Sequence, residues 1–346
     1  MVKYELLRDL EAYLKAKVDA SIDNNVKDIA RRFGYLDYMI ARYLNMLGSI
    51  DDVLDLLNSF EKPLNPVIRC NKLKVHDCSY LVRRLKALGY DMKRIMWEGS
   101  SYIITKLGKV SLGATHEFFL GLYYLYRGSA SLIPPLILNP RSEDMVLDMA
   151  AAPGGKTSHM AQLMNNEGVI IAVEVNRIRV RALRSNLERL GVKNTIILRM
   201  NALNIPKLFS EYFTKALLDA PCSGEGLIQI DKSRKTRTTL NDLLKFRRTQ
   251  IALLNAAINT AISGGYILYT TCSIAPEEDE LVIAEAITRR DDVEVVKMPK
   301  IDGLNFSEGL TEYYGIELPS EVRLCGRLYP SKHGMEGFFL CLLRKL

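Results

Sequence analysis

Little in this 346-residue sequence points to a membrane, a metal or a disulfide framework. No apolar run is long enough to cross a bilayer. The nearest, Ile251 to Leu268, is broken by Asn255, Asn259 and the Gly264–Gly265 pair. The first nine residues alternate charged and apolar side chains, a pattern of helices and not of secretory leaders, so a cytoplasmic location is expected. The six cysteines, at 70, 78, 222, 272, 325 and 341, include no C-x-x-C pair of the kind that holds zinc. A chain of this length has core enough to fold without disulfide staples. Most of the cysteines are therefore expected to be buried small apolar residues, and no metal is expected. Internal repeats, low-complexity segments and a G-x-G-x-x-G dinucleotide fingerprint are also missing. What remains, 48% hydrophobic and 25% charged residues, suits a soluble protein with an ordinary core.

Charge is mild overall, +7, but unevenly placed. Between Lys232 and Arg248 seven basic residues face one acid, Asp242. Such a patch fits a phosphate backbone, with a solvated helix face as the plain alternative for any one residue. Lys232, Arg234, Lys235 and Arg237 are the candidates for phosphate contact.

The chain divides by rhythm. Tyr4, Leu7, Leu10, Leu14 and Val18 recur at helical spacing, as do apolar positions from Tyr38 to Leu57, so residues 1–62 are expected to form a helical region. Pro63 and Pro66 end it. A strand at Val67–Lys72, a helix at Tyr80–Leu88 and a strand at Ser101–Lys106 suggest a small α/β module over 63–140, RRM-like in kind. The breaker cluster Asn139-Pro140-Arg141-Ser142 closes that module. From Asp144 the pattern becomes strand, glycine turn, helix, repeated. Strands are expected at Val146–Met149, Val169–Val175, Thr195–Met200, Ala216–Leu218, Tyr266–Thr270 and Gly337–Leu343. Helices fall at Thr157–Met164, Arg177–Leu190 and Leu243–Ile262. This alternation implies a doubly wound, mainly parallel, Rossmann-like α/β domain over 141–346, with a seven-stranded sheet and ligand at the carboxyl ends of its first strands.

The first strand runs through Asp148 into Ala150-Ala151-Ala152-Pro153-Gly154-Gly155-Lys156-Thr157, a backbone-lined crevice opening a helix. Gly155-Lys156-Thr157 matches the end of a phosphate loop, but position 150, where its first glycine belongs, is alanine. The second strand ends near Glu174, where a carboxylate accepts the hydroxyls of an adenosine ribose; capping the next helix is the structural alternative. The fourth strand delivers Asp219-Ala220-Pro221-Cys222 and the fifth Thr270-Thr271-Cys272-Ser273. Adjacent parallel strands place such ends side by side. One cysteine there would more often be packing; two, each in a polar turn beside the crevice, point to chemistry.

These segments resemble the Sun (Nol/Nop/Sun) family of RNA cytosine-5 methyltransferases over nearly the whole chain. The strongest pieces are Asp148–Thr157, Asp219–Gly226 and Thr270–Ser273 followed by Pro276-Glu277-Glu278-Asp279-Glu280. Ile68-Arg69-Cys70-Asn71-Lys72-Leu73 and the stretch from Pro330 through His333 and Gly337 to Phe339 support them. The resemblance implies S-adenosylmethionine as cofactor and transfer or ribosomal RNA as partner. It makes Cys272 the nucleophile on cytosine carbon 6, Cys222 the residue that assists release, and Asp219 the holder of the base, with Lys156 near the same pocket. Glu174 would serve the cofactor's ribose and Arg179 nearby polar contacts, Ala150 to Gly155 the cofactor's amino-acid end, and Arg69 and Asn71 the RNA. Three positions depart from the family pattern: Asn201 for an aspartate, Arg127 for a glutamine and Asp279 for an asparagine. A cytoplasmic monomer, archaeal by its richness in Ile, Lys, Arg and Glu, is the expected form. Two rivals are a catalytically silent RNA-binding factor and a DNA cytosine-5 methyltransferase. Both intact thiols count against the first. The second attacks from the cysteine of the Pro-Cys turn and needs no Cys272.

Overall fold

A computed structural model describes residues 2–4 and 9–346. Leu7, assigned above to the first helical face, lies outside them. A two-residue strand, Val2–Lys3, pairs with Ile316–Glu317, and four helices follow, Leu10–Ala20, Asn24–Phe33, Asp37–Leu47 and Ile50–Glu61. Asp9, Asp23 and Ser49 cap three of them by accepting from backbone N–H groups of the first turn, and Gly34 and Gly48 end two in the left-handed conformation. This region has no core of its own. Leu14, Val18, Ile40, Tyr43, Leu56 and Phe60 are fully buried and join the same apolar cluster as one face of the large sheet.

The next unit runs strand, helix, strand, strand, short helix, strand: Val67–Cys70, Cys78–Ala87, Asp91–Arg94, Ser101–Lys106, His116–Phe119 and Tyr123–Tyr126. Its antiparallel sheet has the spatial order second, third, first, fourth strand, the split βαβ arrangement. Side chains alternate across the first strand. Ile68 and Cys70 pack with Leu81, Leu85 and Tyr123 beneath the helix, whereas Val67, with Tyr124 and Tyr126 of the fourth strand, faces Leu190 of the large domain.

The large sheet holds nine strands, not seven. Its parallel half runs Thr195–Leu198, Val169–Val173, Met145–Asp148, Phe213–Asp219 and Ala261–Thr271, and Phe338–Lys345 then pairs antiparallel with the last. Gly326–Leu328, Val293–Val295 and the two-residue Ser307–Glu308 complete it. The last two are too short to show a period in the sequence. Alternation splits the strands cleanly. Leu147, Ile171, Ala216, Leu218, Ile267 and Tyr269 face the N-terminal helices' core, and Val146, Ile170, Leu217, Leu268, Leu340 and Leu342 face the other layer. The helix Leu240–Thr260 starts on a reciprocal capping box between Thr239 and Asp242. Two disulfides, Cys70–Cys78 and Cys325–Cys341, correct the expectation of simple buried thiols. Their partners are only 8 and 16 residues apart, and the fold brings the Cα atoms to 6.0 and 4.4 Å. Among the described residues no helix is long and apolar enough to cross a membrane.

Candidate active site

The carboxyl ends of the parallel strands converge as expected. Asp148 ends the first; its carboxylate accepts from Thr157 Oγ1 at 2.7 Å, tying the strand to the helix Gly155–Leu163. Burial pushes Asp148 up to about 6, against that hydrogen bond, and the nearby charge of Asp219 adds to the rise. Between strand and helix, Gly154 has φ +102°, a conformation that favours glycine, and Gly155 lets Tyr124 and Tyr126 approach so closely that a Cβ would meet both rings near 3.0 Å.

Asp219 ends the fourth strand between two donors, Lys156 Nζ at 2.6 Å and Thr270 Oγ1 at 3.0 Å. Burial works against the charge on Lys156, but the Asp219 carboxylate more than offsets it and holds the ammonium above its usual range. Beyond Asp219, Cys222 and Cys272 meet with their sulfurs 3.2 Å apart. They are the free cysteines among the described residues. The hydrogen bond to Cys272 and burial push the Cys222 thiol well above its ordinary value.

The turns bearing the two thiols are stitched together. Gly226 N–H donates to the Cys272 carbonyl, and Gly337 N–H to that of Gly226. Glu278 accepts from both the backbone N–H and the hydroxyl of Ser223 and from Gln250. Arg42, on the third N-terminal helix and wholly buried, donates to Glu225 at 2.6 Å and to Glu277 at 3.0 Å. One guanidinium thus spans the two turns, three residues beyond Cys222 and five beyond Cys272. The run Glu277 to Glu280 is completely buried, each acid with its own partners. Tyr313 also donates to Glu277, Thr271 to Asp279 and Arg327 to Glu280. Neither Arg42 nor Glu225 was legible as a site residue. The acid run showed only as a family segment, and its placement directly after Cys272 was the one available signal.

Two cavities meet at this point. One, of about 400 Å³, is lined by Glu174, Arg179, Asn201, Asp219 and both cysteines. The other, of about 270 Å³, is lined by Lys156, Asp219, Tyr126, Glu336 and the loop Ala150–Pro153. Asp219 and Ala150 form part of both walls; Ala151, Ala152, Pro153 and Gly155 face only the smaller cavity. Glu174 is buried. It accepts from Asn176 N–H, but Asn176 and not Glu174 caps the next helix, and its second oxygen lies 3.3 Å from Arg179. Arg179 in turn donates to the Ala152 carbonyl. Asn201 spends its amide oxygen on Leu203 N–H as the cap of a short helical turn, while still lining the larger cavity.

The residues expected on an RNA surface are mostly elsewhere. Arg69 is fully buried, donating to the Tyr126 hydroxyl, Ser158 and Gln162. Asn71 is buried too, donating to the Gly121 and Leu190 carbonyls. Their strand face is covered by the large domain: Arg69 docks the small module onto the helix Gly155–Leu163, and Asn71 onto the end of the helix Arg177–Leu190. Lys232 and Lys235 pair with Glu61 and bond carbonyls of the helical region, and Arg234 bonds the Ser223 carbonyl and pairs with Asp231. Arg237 alone of the four is exposed without an ion pair among the described residues.

This fold, with paired thiols at adjacent strand ends, defines a Rossmann-like methyltransferase domain. The chain belongs to the family described as 16S rRNA methyltransferase RsmB/F, which matches residues 135–344. It is similar to a solved methyltransferase homologue protein from Pyrococcus horikoshii, 38% identical with a TM-score of 0.81, covering 94% of this chain and 100% of that one. The human 28S rRNA (cytosine(4447)-C(5))-methyltransferase is 36% identical over 324 residues, 92% of this chain and 39% of that protein. Ribosomal RNA small subunit methyltransferase F of Vibrio campbellii is 33% identical, over 84% of this chain and 59% of that protein. The chain therefore spans roughly two to three fifths of the length of these two curated relatives.

Proposed function

We propose that the protein methylates carbon 5 of cytosine in ribosomal RNA with S-adenosylmethionine, acting as a cytoplasmic monomer. The observation that carries this reading is the pair of thiols 3.2 Å apart beside the Lys156–Asp219 ion pair. The larger cavity fits the cofactor: a buried acid, Glu174, stands ready for ribose hydroxyls, and the space reaches both cysteines. Bound there, the cofactor supplies an electrophilic methyl group.

Cytosine carbon 5 is a poor nucleophile until a thiolate adds at carbon 6. Cys272 supplies that thiolate, within electrostatic reach of the Lys156 ammonium. Its sulfur bonds carbon 6 and shifts electron density towards carbon 5. Asp219, fixed by Lys156 and Thr270, takes the ring-nitrogen and amino edge of the base and favours protonation there. Carbon 5 gains the methyl group; with Cys272 bonded to carbon 6, Cys222 gives its own proton to solvent and then takes the proton of carbon 5. The carbon–sulfur bond breaks, and its electron pair returns to Cys272.

The test is the asymmetry between the thiols. Cys272→Ala is expected to abolish methyl transfer and covalent attachment to ribosomal RNA. Cys222→Ala should stall after bond formation and accumulate as an adduct that survives a denaturing gel. The reverse pattern would sink the assignment. Bisulfite mapping of RNA treated with the unsubstituted protein identifies the cytosine.

A further inference from the structure

Past the Lys156–Asp219 chamber the surface continues as a groove. Leu125, Tyr126, Arg127 and Ile230 line both that chamber and an adjoining cavity of about 500 Å³. The outer cavity lies between the Pro63–Pro66 segment, the 107–113 loop of the small module and Gln229. Its walls carry two cations, Arg127 and Lys109, and no carboxylate. Both are exposed, and neither makes a side-chain hydrogen bond or ion pair among the described residues. Elsewhere on the surface Lys232, Lys235, Lys245 and Arg248 each hold a carboxylate, whereas Arg237 shares the unpaired state of Arg127 and Lys109. The same groove has an apolar side, where Leu107 and Val110 are 65% and 43% exposed.

Unopposed cations beside exposed apolar surface suit one kind of occupant: a single strand whose phosphates take the charges and whose unstacked bases take the apolar wall. A base drawn into the inner chamber stays tethered to its neighbours, and the groove is the continuous path away from that chamber. A small anion would leave the apolar wall unused, and an acidic protein would need no connection to the chamber.

We infer that the RNA strand flanking the target cytosine lies in this groove, with Arg127 and Lys109 on its phosphates and Leu107 and Val110 against an unstacked base. The inference rests on the RNA-methyltransferase reading above. It also gives a role to Arg127, which stands where the resembled family usually has glutamine. The contact is then particular to chains that carry a cation there.

The probe is a single-stranded oligoribonucleotide of about 15 nucleotides with one central cytosine, titrated against the full chain over a range of salt. Arg127→Gln and Lys109→Gln are each expected to weaken binding several-fold and to flatten the logarithmic salt dependence by about 0.7 per lost phosphate contact. Affinity for S-adenosylmethionine should not move, which separates a lost RNA contact from a damaged fold. Replacing Leu107 with serine should weaken binding without changing the slope. Unchanged affinity and slope in both cation variants, while Cys222→Ala still traps its adduct with this RNA, would overturn the groove and leave the proposed reaction standing. The groove would also fall if the variants abolished a concentration-dependent dimer instead, which would give the surface to a second copy. No RNA binding and no adduct with the groove intact would overturn both.

Discussion

At the scale of single residues, Asp279 shows how a departure from a family pattern can be chemically silent. Burial, against the pull of Arg327, holds its carboxyl well above the usual range, so it stays protonated. A neutral carboxyl offers one donor and one acceptor, much as the asparagine amide of the resembled family does. Thr271 uses the acceptor at 2.6 Å. The difference appears in stability. An unfolded aspartate loses its proton near pH 4, whereas the folded one keeps it to higher pH. As pH rises above about 4 the folded state binds more protons than the unfolded one, and stability falls. Asp279→Asn is therefore expected to raise Tm at neutral pH, with the gain shrinking as pH is lowered towards 4. A pH series of thermal melts checks it, and a constant offset would show that Asp279 is ionised in the fold.

At the scale of elements, the turn bearing Cys222 and the turn bearing Cys272 are joined by a side chain from a helix far away in sequence. Arg42→Ala would leave Glu225 and Glu277 buried without a counter-charge, a loss on the order of 3–5 kcal/mol. Arg42→Met, together with Glu225→Gln and Glu277→Gln, should recover much of that stability. If the guanidinium positions the thiols, the triple variant should still have a depressed kcat with KM for RNA little changed. Full kcat in a stable triple variant would reduce Arg42 to packing. Such partnerships explain what the sequence hid. Cys222, Cys272, Asp219 and Glu174 were legible because each ends a strand in a polar or glycine-bearing turn, a local signal. Arg69 and Asn71 misled because alternation along a strand says which residues share a face, not what covers it. The acids from Glu277 to Glu280 have the composition of a solvated stretch, yet Arg42 reaches them from 235 residues away.

At the scale of the whole molecule, the helical region is part of the catalytic core, since its buried side chains and one sheet face form a single apolar cluster. Deleting residues 1–62 would strip the helices' share of that cluster, baring the apolar side chains packed against them, and would remove Arg42. The truncated chain is expected to be insoluble, or soluble but without a cooperative thermal transition; a fragment that melts sharply and binds S-adenosylmethionine would contradict this. The small module is attached by a smaller apolar patch, Val67, Tyr124 and Tyr126 against Leu190, and by polar contacts of Arg69 to Ser158, Asn71 to the Leu190 carbonyl and Tyr126 to the Gly155 carbonyl.

The span of the Arg42 contacts also bears on how the protein is made. A ribosome delivers Arg42 long before Glu225 and Glu277, 183 and 235 residues later in the chain. At about 5–20 residues per second, the early helices wait on the order of ten seconds or more for the acids that neutralise the arginine and the strands that cover their apolar faces. During that interval a cation destined for complete burial and a set of sticky helix faces are exposed to solvent. The thiol pair forms late for the same reason, because its two turns come from strands separated by the long helix Leu240–Thr260. High contact order of this kind predicts slow folding and a nascent chain that relies on chaperones until its last strand, Phe338–Lys345, pairs beside the strand that carries Cys272.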